Sequence, residues 1–258
     1  MSIQPIENRC NVIELDFKSK RNINNNTSNT SNRGSKKVKQ RKEKREPVQP
    51  IKLQEDLKIA KEYLFNRKVR GNPYAYRDYT LFCLGITVYK RISDLLALTV
   101  GDILNEDMTF KNDIHIITKK RQKDEEIILT FSPKIKEILR EYFQHNPEIV
   151  SDMNNALFPT RQSNMKSMCY KTAYNIIKDV EEEINKYKQS DNDKVHLATH
   201  SMRKTPAYHF VQKHKDDQYS IAKTSKVLGH TKIDTTLHYL GLDKKELEEC
   251  YTFSDSLL

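Results

Sequence analysis

The amino-acid sequence predicts a mainly α fold with one small antiparallel β-sheet, an α+β domain. Three observations lead there. Apolar residues recur at helical spacing over most of the chain after Lys52, a single stretch from Ile114 to Leu129 switches to alternation, and Gly, Asn and Pro separate the segments. Leu53, Leu57, Ala60 and Leu64 form one face of a first helix, which Gly71, Asn72 and Pro73 interrupt. A more apolar helix is expected from about Tyr76 to Thr87, and another over Ile92–Leu98. Ile114, Ile116 and Thr118 then alternate with His115 and Ile117. After the charged stretch KKRQKDEE a second short apolar run, Ile127–Leu129, completes a β-hairpin.

Ser132 and Pro133 read as N-cap and first residue of a helix whose apolar face is Ile135, Ile138, Leu139, Tyr142 and Phe143. Beyond the loop containing Pro159, a long helix carries Tyr170, Tyr174, Ile177, Val180 and Ile184 on roughly one side. Shorter helices are expected near Met202–Lys213, Ser220–Leu228, Asp234–Leu240 and Lys244–Cys250. Pro206 fits its helix only in the first turn, where a missing N–H costs nothing.

Charge divides the chain. Residues 1–50 hold 12 basic and 5 acidic side chains, so most of the formal +10 of the 258-residue protein lies there. Asn22–Asn32 is an Asn/Ser/Thr tract, and RGSKKVKQRKEKRE follows it from Arg33 to Glu46. Neither buries enough apolar surface to offset its ordering entropy, so residues 1–50 read as a disordered arm and 51–258 as the folded domain. Lys36, Lys37, Lys39, Arg41, Lys42, Lys44 and Arg45 suit nucleic-acid phosphates, where bound cations release counterions. A solvated leader or a localisation signal is the competing reading. The N-terminus lacks the apolar core of a secretory signal, and no stretch is long and apolar enough to span a bilayer. Cys10, Cys83, Cys169 and Cys250 form no CxxC pair, which argues against a disulfide scaffold or zinc ribbon. A cytoplasmic location is expected, nucleoid-associated when DNA is bound.

Three segments place charged or imidazole groups where apolar periodicity brings them to the edge of a core. They are KRISDLLAL around Arg91, THSMRKTPAYH around His200 and Arg203, and VLGHTKIDTTLHYLG around His230 and Tyr239. Together with a hairpin lysine, this ordered series resembles the tyrosine recombinase, or phage integrase, family over roughly Tyr76–Leu242. The resemblance implies the catalytic-domain fold of that family. It also implies that Arg91, Lys120, His200, Arg203, His230 and Tyr239 are catalytic and that Asp94 supports the first arginine. KRQKDEEIIL aligns with the family's KTGKxRxVPL and selects Lys120, with Lys119 the alternative. Tyr89 and Lys90 stand where the family often has Gly-Leu. His209, His214 and His238 lack a matching spacing and are assigned to surface or packing.

The implied activity is site-specific cleavage and rejoining of double-stranded DNA through a 3′-phosphotyrosyl intermediate, for integration, excision or resolution of a mobile element, with no metal or other cofactor. A non-catalytic DNA-binding relative and a type IB topoisomerase-like relaxing enzyme are the alternatives. The family also implies a tetramer on DNA, and residues 243–258 are expected to dock on a neighbouring subunit. Residues 1–50 are too short and polar for the helical clamp domain usual in the family, so an accessory DNA-binding protein is an expected partner.

These residue types suit the chemistry on physical grounds. Ionising a phenol of pKa near 10 at pH 7 costs roughly 4 kcal/mol. A cation about 4 Å away at an effective dielectric near 20 offsets a similar gross amount. Two guanidiniums grip the non-bridging oxygens of a phosphodiester with forked hydrogen bonds. An ammonium on a hairpin can protonate the departing 5′ oxygen. His200 takes or shares the tyrosine proton and His230 donates to a phosphate oxygen, or the two exchange roles.

Overall fold

The structure, a computed structural model, describes residues 48–69, 72–119, 124–160 and 165–240. The expected basic arm, Lys120 and the 243–258 tail therefore lie outside the described residues. Helices α1 (Gln54–Val69), α2 (Ala75–Gly85), α3 (Ile92–Leu96) and α4 (Val100–Ile103) lead into strands β1 (Ile114–Lys119) and β2 (Asp124–Leu129). Helices α5 (Pro133–His145), α6 (Tyr170–Asn185), α7 (Thr199–Lys213), α8 (Ser220–Leu228) and α9 (Ile233–Leu240) come after the hairpin.

The two strands pair antiparallel, with Ile114 opposite Leu129 and Lys119 opposite Asp124. Ile114, Ile116 and Leu129 are buried, so the hairpin turns its apolar side to the core. α5 begins as its sequence dictates: the Ser132 hydroxyl accepts the Ile135 N–H at 3.3 Å, and Pro133 occupies the first turn. Ile135, Leu139, Tyr142 and Phe143 are buried on its inner face. α6 buries Ala173, Ile176, Ile177, Val180 and Ile184. Tyr170, placed on that face by its spacing, is 52% exposed because it opens the helix, and its hydroxyl instead meets the Thr199 hydroxyl at 2.9 Å. The short α4, which sequence periodicity did not indicate, is closed by a Thr99–Asp102 capping box.

α1 packs on α2 and α6, and α2 on α5, around one large hydrophobic cluster. A second, smaller cluster lies among α7, α8 and α9. Ala207, Val211, Leu228 and Leu240 are its buried centre, with Tyr89, Tyr208, Ile221 and Tyr239 against it. Helix α7 borders both clusters, since Met202 belongs to the first and Ala207 to the second.

Helix α7 begins at Thr199, so Pro206 lies beyond the first turn, contrary to the sequence expectation. Thr199 is buried, and the Ser201 hydroxyl accepts the Ala198 N–H at 3.1 Å, which carries the helix start upstream of Met202. The proline removes one hydrogen bond inside the helix. α7 runs on regardless, held by packing on both sides. It also approaches α2 closely at Gly85. A Cβ there would stand 2.6 Å from Met202 Sδ and 3.1 Å from Met202 Cβ. Gly85→Ala is therefore expected to destabilise the fold by about 1–3 kcal/mol, the usual cost of overpacking, despite alanine's better helix propensity. A lowered urea midpoint at unchanged slope would show this. An unchanged or raised midpoint would contradict the close α2–α7 approach.

Candidate active site

The first site residue stands on a turn. After α2, Tyr89 adopts a left-handed backbone conformation with φ 59°, the region that favours glycine. This is the position at which the family often has Gly, and the tyrosine is held there by its side chain. Its ring joins the second cluster and its hydroxyl donates to the Pro206 carbonyl at 3.3 Å. The turn delivers Arg91 to the start of α3, where its N–H donates to the Asp94 carboxylate at 3.1 Å. Asp94 thus fixes the backbone that carries the arginine.

His200 and Arg203 are three residues apart on α7, the spacing that shares a helix face. Arg203 is only 4% exposed. Its guanidinium donates to the Leu228 carbonyl at the C-terminus of α8, where the helix dipole favours a cation. Its Nε is buried without a hydrogen-bond partner among the described residues.

The LGH segment has its own local logic. Gly229, with φ 65° and ψ 34°, closes α8 in the left-handed region. The Gly229 N–H bonds the Lys226 carbonyl at 3.0 Å and the His230 N–H bonds the Ser225 carbonyl at 3.0 Å. That closure turns the chain so that His230 faces α9. Its Nδ1 meets the hydroxyl of buried Thr236 at 2.9 Å, and its ring stands edge-on to Tyr239 with centroids 5.3 Å apart at 80°. The Tyr239 hydroxyl is buried and has no hydrogen-bond partner among the described residues.

Arg91, His200, Arg203, His230 and Tyr239 form one electrostatic unit. The charges of Arg91 and Arg203 act on both histidines and on the phenol, and Asp94 acts on Arg203. His200 is exposed on α7, and partial desolvation by its neighbours, then Arg203, Arg91 and Lys204, hold it below the ordinary histidine pKa. Burial, Arg203 and Arg91 do the same for His230. Both imidazoles are thus neutral at pH 7, each with one donor and one acceptor nitrogen. Tyr239 is pushed up to about 12, because burial outweighs the two guanidiniums. From residue types alone, the cations were expected to cover the cost of phenolate. In the resting chain they do not, so the tyrosine is neutral at pH 7.

Arg91 and Arg203 also line a cleft of about 320 Å³ with Lys90, Asp94, Glu126, Lys226 and Gly229. A larger cavity of about 610 Å³, bordered by Tyr76, Arg77, Tyr142 and His145, includes none of the expected site residues. Lys119 is the last residue of β1 and Lys120 follows it outside the described residues, so neither ammonium is placed. The expected surface or packing role suits His209, whose Nε2 meets the Ile51 carbonyl at 2.9 Å.

Lys204, Thr236 and Lys226 did not stand out in the sequence, and Lys90 stood out only as a departure from the family's usual residue. Thr236 is signalled by its spacing of three from Tyr239 on a helix facing the LGH turn. Lys204 directly follows Arg203, and its ammonium lies 4.7 Å from the Tyr239 ring centroid.

The chain belongs to the phage integrase family, whose profile matches residues 64–246. It is 30% identical over 201 residues to the probable integrase/recombinase YoeC of Bacillus subtilis (strain 168), covering 78% of this chain and 93% of that protein. It is 26% identical over 181 residues to the tyrosine recombinase XerC of Neisseria meningitidis serogroup C / serotype 2a (strain ATCC 700532 / DSM 15464 / FAM18), covering 70% of this chain and 52% of XerC. The chain thus spans nearly all of YoeC and about half of XerC. Among solved structures, the fold matches the XerH site-specific recombinase in a post-cleavage complex with palindromic difH. The TM-score is 0.55 at 20% identity, over 81% of this chain and 54% of that one. It also matches the Tn1549 transposon integrase bound to transposon right end DNA, with TM-score 0.53 at 16% identity over 79% and 66% of the respective chains. These likenesses establish the tyrosine recombinase catalytic-domain fold. Among the described residues, no helix is long and apolar enough to cross a membrane.

Proposed function

We propose that the protein is a site-specific DNA recombinase that cuts and rejoins double-stranded DNA through a 3′-phosphotyrosyl bond to Tyr239. One observation carries this reading: a buried phenol hydroxyl, unbonded among the described residues, lies under the joint field of two guanidiniums that also line a cleft. A phosphodiester seated between Arg91 and Arg203 would receive forked hydrogen bonds on its non-bridging oxygens, including one from the unpartnered Arg203 Nε.

Tyr239 Oη then bonds to phosphorus as the bond from phosphorus to the 5′ oxygen breaks. The phenolic proton passes to a neutral imidazole, His200 or His230, and the other imidazole donates to a phosphate oxygen. By resemblance, Lys120, or Lys119, protonates the departing 5′ oxygen. The 5′ hydroxyl of a partner strand reverses the sequence and frees the tyrosine. Each step exchanges one phosphoester for another, so no nucleotide hydrolysis is needed. Exchange between two duplexes implies several copies of the chain on DNA, a tetramer by family resemblance, with an accessory DNA-binding protein as a further partner. The likeness to a transposon integrase supports integration or excision of a mobile element as the role.

The test is capture of a covalent adduct from a pool of nicked duplexes with randomised sequence, in which the nick lets the short fragment bearing the freed 5′ hydroxyl diffuse away and traps the intermediate. A protein–DNA adduct stable to denaturant is expected. Strand exchange by the captured sequence marks a recombinase, and relaxation alone marks a topoisomerase-like enzyme. Phosphate binding without adduct across the pool overturns the catalytic reading in favour of a DNA binder.

The route of the proton makes the reaction pH-dependent. Because both histidine pKa values are depressed, the accepting imidazole is neutral at pH 7 and becomes protonated only below the ordinary value of about 6.5. The second-order rate constant for adduct formation at subsaturating DNA, which reports the free protein, should be level from pH 7 to 8 and fall on acidification with a midpoint below 6.5. A midpoint above 6.5 would contradict the depressed pKa values.

A further inference from the structure

A short segment ahead of α1 is bound along α7 beside the nucleophile. The Gln49 N–H donates to the His196 carbonyl at 3.1 Å, and the Ile51 N–H donates to the Thr205 hydroxyl at 3.0 Å. The Ile51 carbonyl meets His209 Nε2 at 2.9 Å, and the Ile51 side chain is buried in the main core. The fourth link is Lys204, whose Nζ donates to the Val48 carbonyl at 2.9 Å while standing 4.7 Å from the Tyr239 ring centroid.

This arrangement puts one ammonium between two partners. An ammonium has three donor hydrogens and attracts the π-face of an aromatic ring. The Val48 carbonyl takes one hydrogen and directs the remaining charge to the phenol. Lys204 is half-buried, and burial pulls its pKa below the ordinary lysine value, so water screens it less than it screens an exposed lysine. Tyr239 needs such a restraint. Its hydroxyl makes no hydrogen bond among the described residues. In-line attack requires the oxygen to be held at a defined angle to the phosphate.

Resting on the recombinase reading above, we propose that Lys204 is a positioning residue for Tyr239, set in place by the Val48–Ile51 segment that joins the folded domain to the basic run of Arg33–Glu46. Lys204 reaches the reaction through the phenol ring.

The test uses the full chain and the nicked duplex captured by the wild-type protein. Lys204→Met should lower the single-turnover adduct rate roughly tenfold, the order expected for a lost cation–ring contact, and leave DNA affinity within about twofold. Lys204→Arg should restore most of the rate. Thr205→Val, which removes the acceptor for the Ile51 N–H, should lower the rate in the same direction. Unchanged rates in Lys204→Met, or no rescue by Lys204→Arg, overturn the proposal.

A DNA-free measurement separates this failure from that of the recombinase reading. With 3-fluorotyrosine at position 239, the ¹⁹F resonance should shift in Lys204→Met and in Thr205→Val, and return toward wild type in Lys204→Arg. Absence of those shifts overturns the positioning role whatever the DNA result. Shifts in a wild-type protein that forms no adduct would instead place the failure in the catalytic reading.

Discussion

Tyr239→Phe is expected to abolish covalent adduct formation while leaving the fold and DNA affinity unchanged. The substitution removes one oxygen from a ring packed against the second cluster, and that oxygen makes no hydrogen bond among the described residues. Deleting an unsatisfied buried hydroxyl is neutral or slightly stabilising, because no partner is orphaned. The urea midpoint should therefore stay level or rise slightly. Phenylalanine supplies no substitute nucleophile, so the adduct should fall below detection. With a resting pKa of about 12, ionising Tyr239 in advance at pH 7 would take about 7 kcal/mol. On the proposed reading, rate enhancement comes from charge stabilised during attack, with proton transfer to a neutral imidazole at that moment. A Phe variant that still forms adduct would transfer the nucleophile to another residue.

Arg203→Lys should lower the single-turnover adduct rate by about 10²–10³-fold, the range found when one preorganised donor to a developing oxyanion is removed. The charge survives, but the fork does not. A lysine cannot both hold the Leu228 carbonyl and present a second parallel donor to phosphate. The same change loosens the link between α7 and the end of α8, so a stability loss of roughly 1–2 kcal/mol should accompany it. Chemistry and stability separate on a nicked duplex at low temperature, where the variant is fully folded. A rate within tenfold of wild type there would mean that charge alone suffices.

Much of the fold was legible because the two periodicities differ. The alternation in Ile114–Thr118 could only describe a half-buried strand, and Ser132–Pro133 announced α5 chemically. The start of α7 was not legible. It depends on burial of Thr199 and on the Ser201 side chain, contacts that a lone Pro206 concealed by suggesting a later beginning. The candidate site residues were legible through the family resemblance that HxxR and the interval from LGH to Tyr239 carry, and α7 does place His200 and Arg203 three residues apart on one helix. What surrounds them was not. The Leu228 carbonyl that receives Arg203, the Thr236 hydroxyl beside His230 and the Lys204 ammonium over Tyr239 all arise where α7, α8 and α9 meet. The raised phenol pKa has the same origin. Which cations are near follows from the resemblance, whereas the depth of the hydroxyl depends on how α7, α8 and α9 pack around the second cluster. Tyr89 shows the converse. Its departure from glycine at a left-handed position is compensated by a ring and a hydroxyl that bind α7, which no local rule anticipates.

The most direct test of the central claim is to identify the residue that carries DNA in the trapped adduct. Protease digestion, nuclease trimming and peptide mass spectrometry should locate a phosphonucleotide on Tyr239, in the peptide that includes IDTTLHYLG. A phosphonucleotide on Tyr208, Tyr219 or any serine would contradict it.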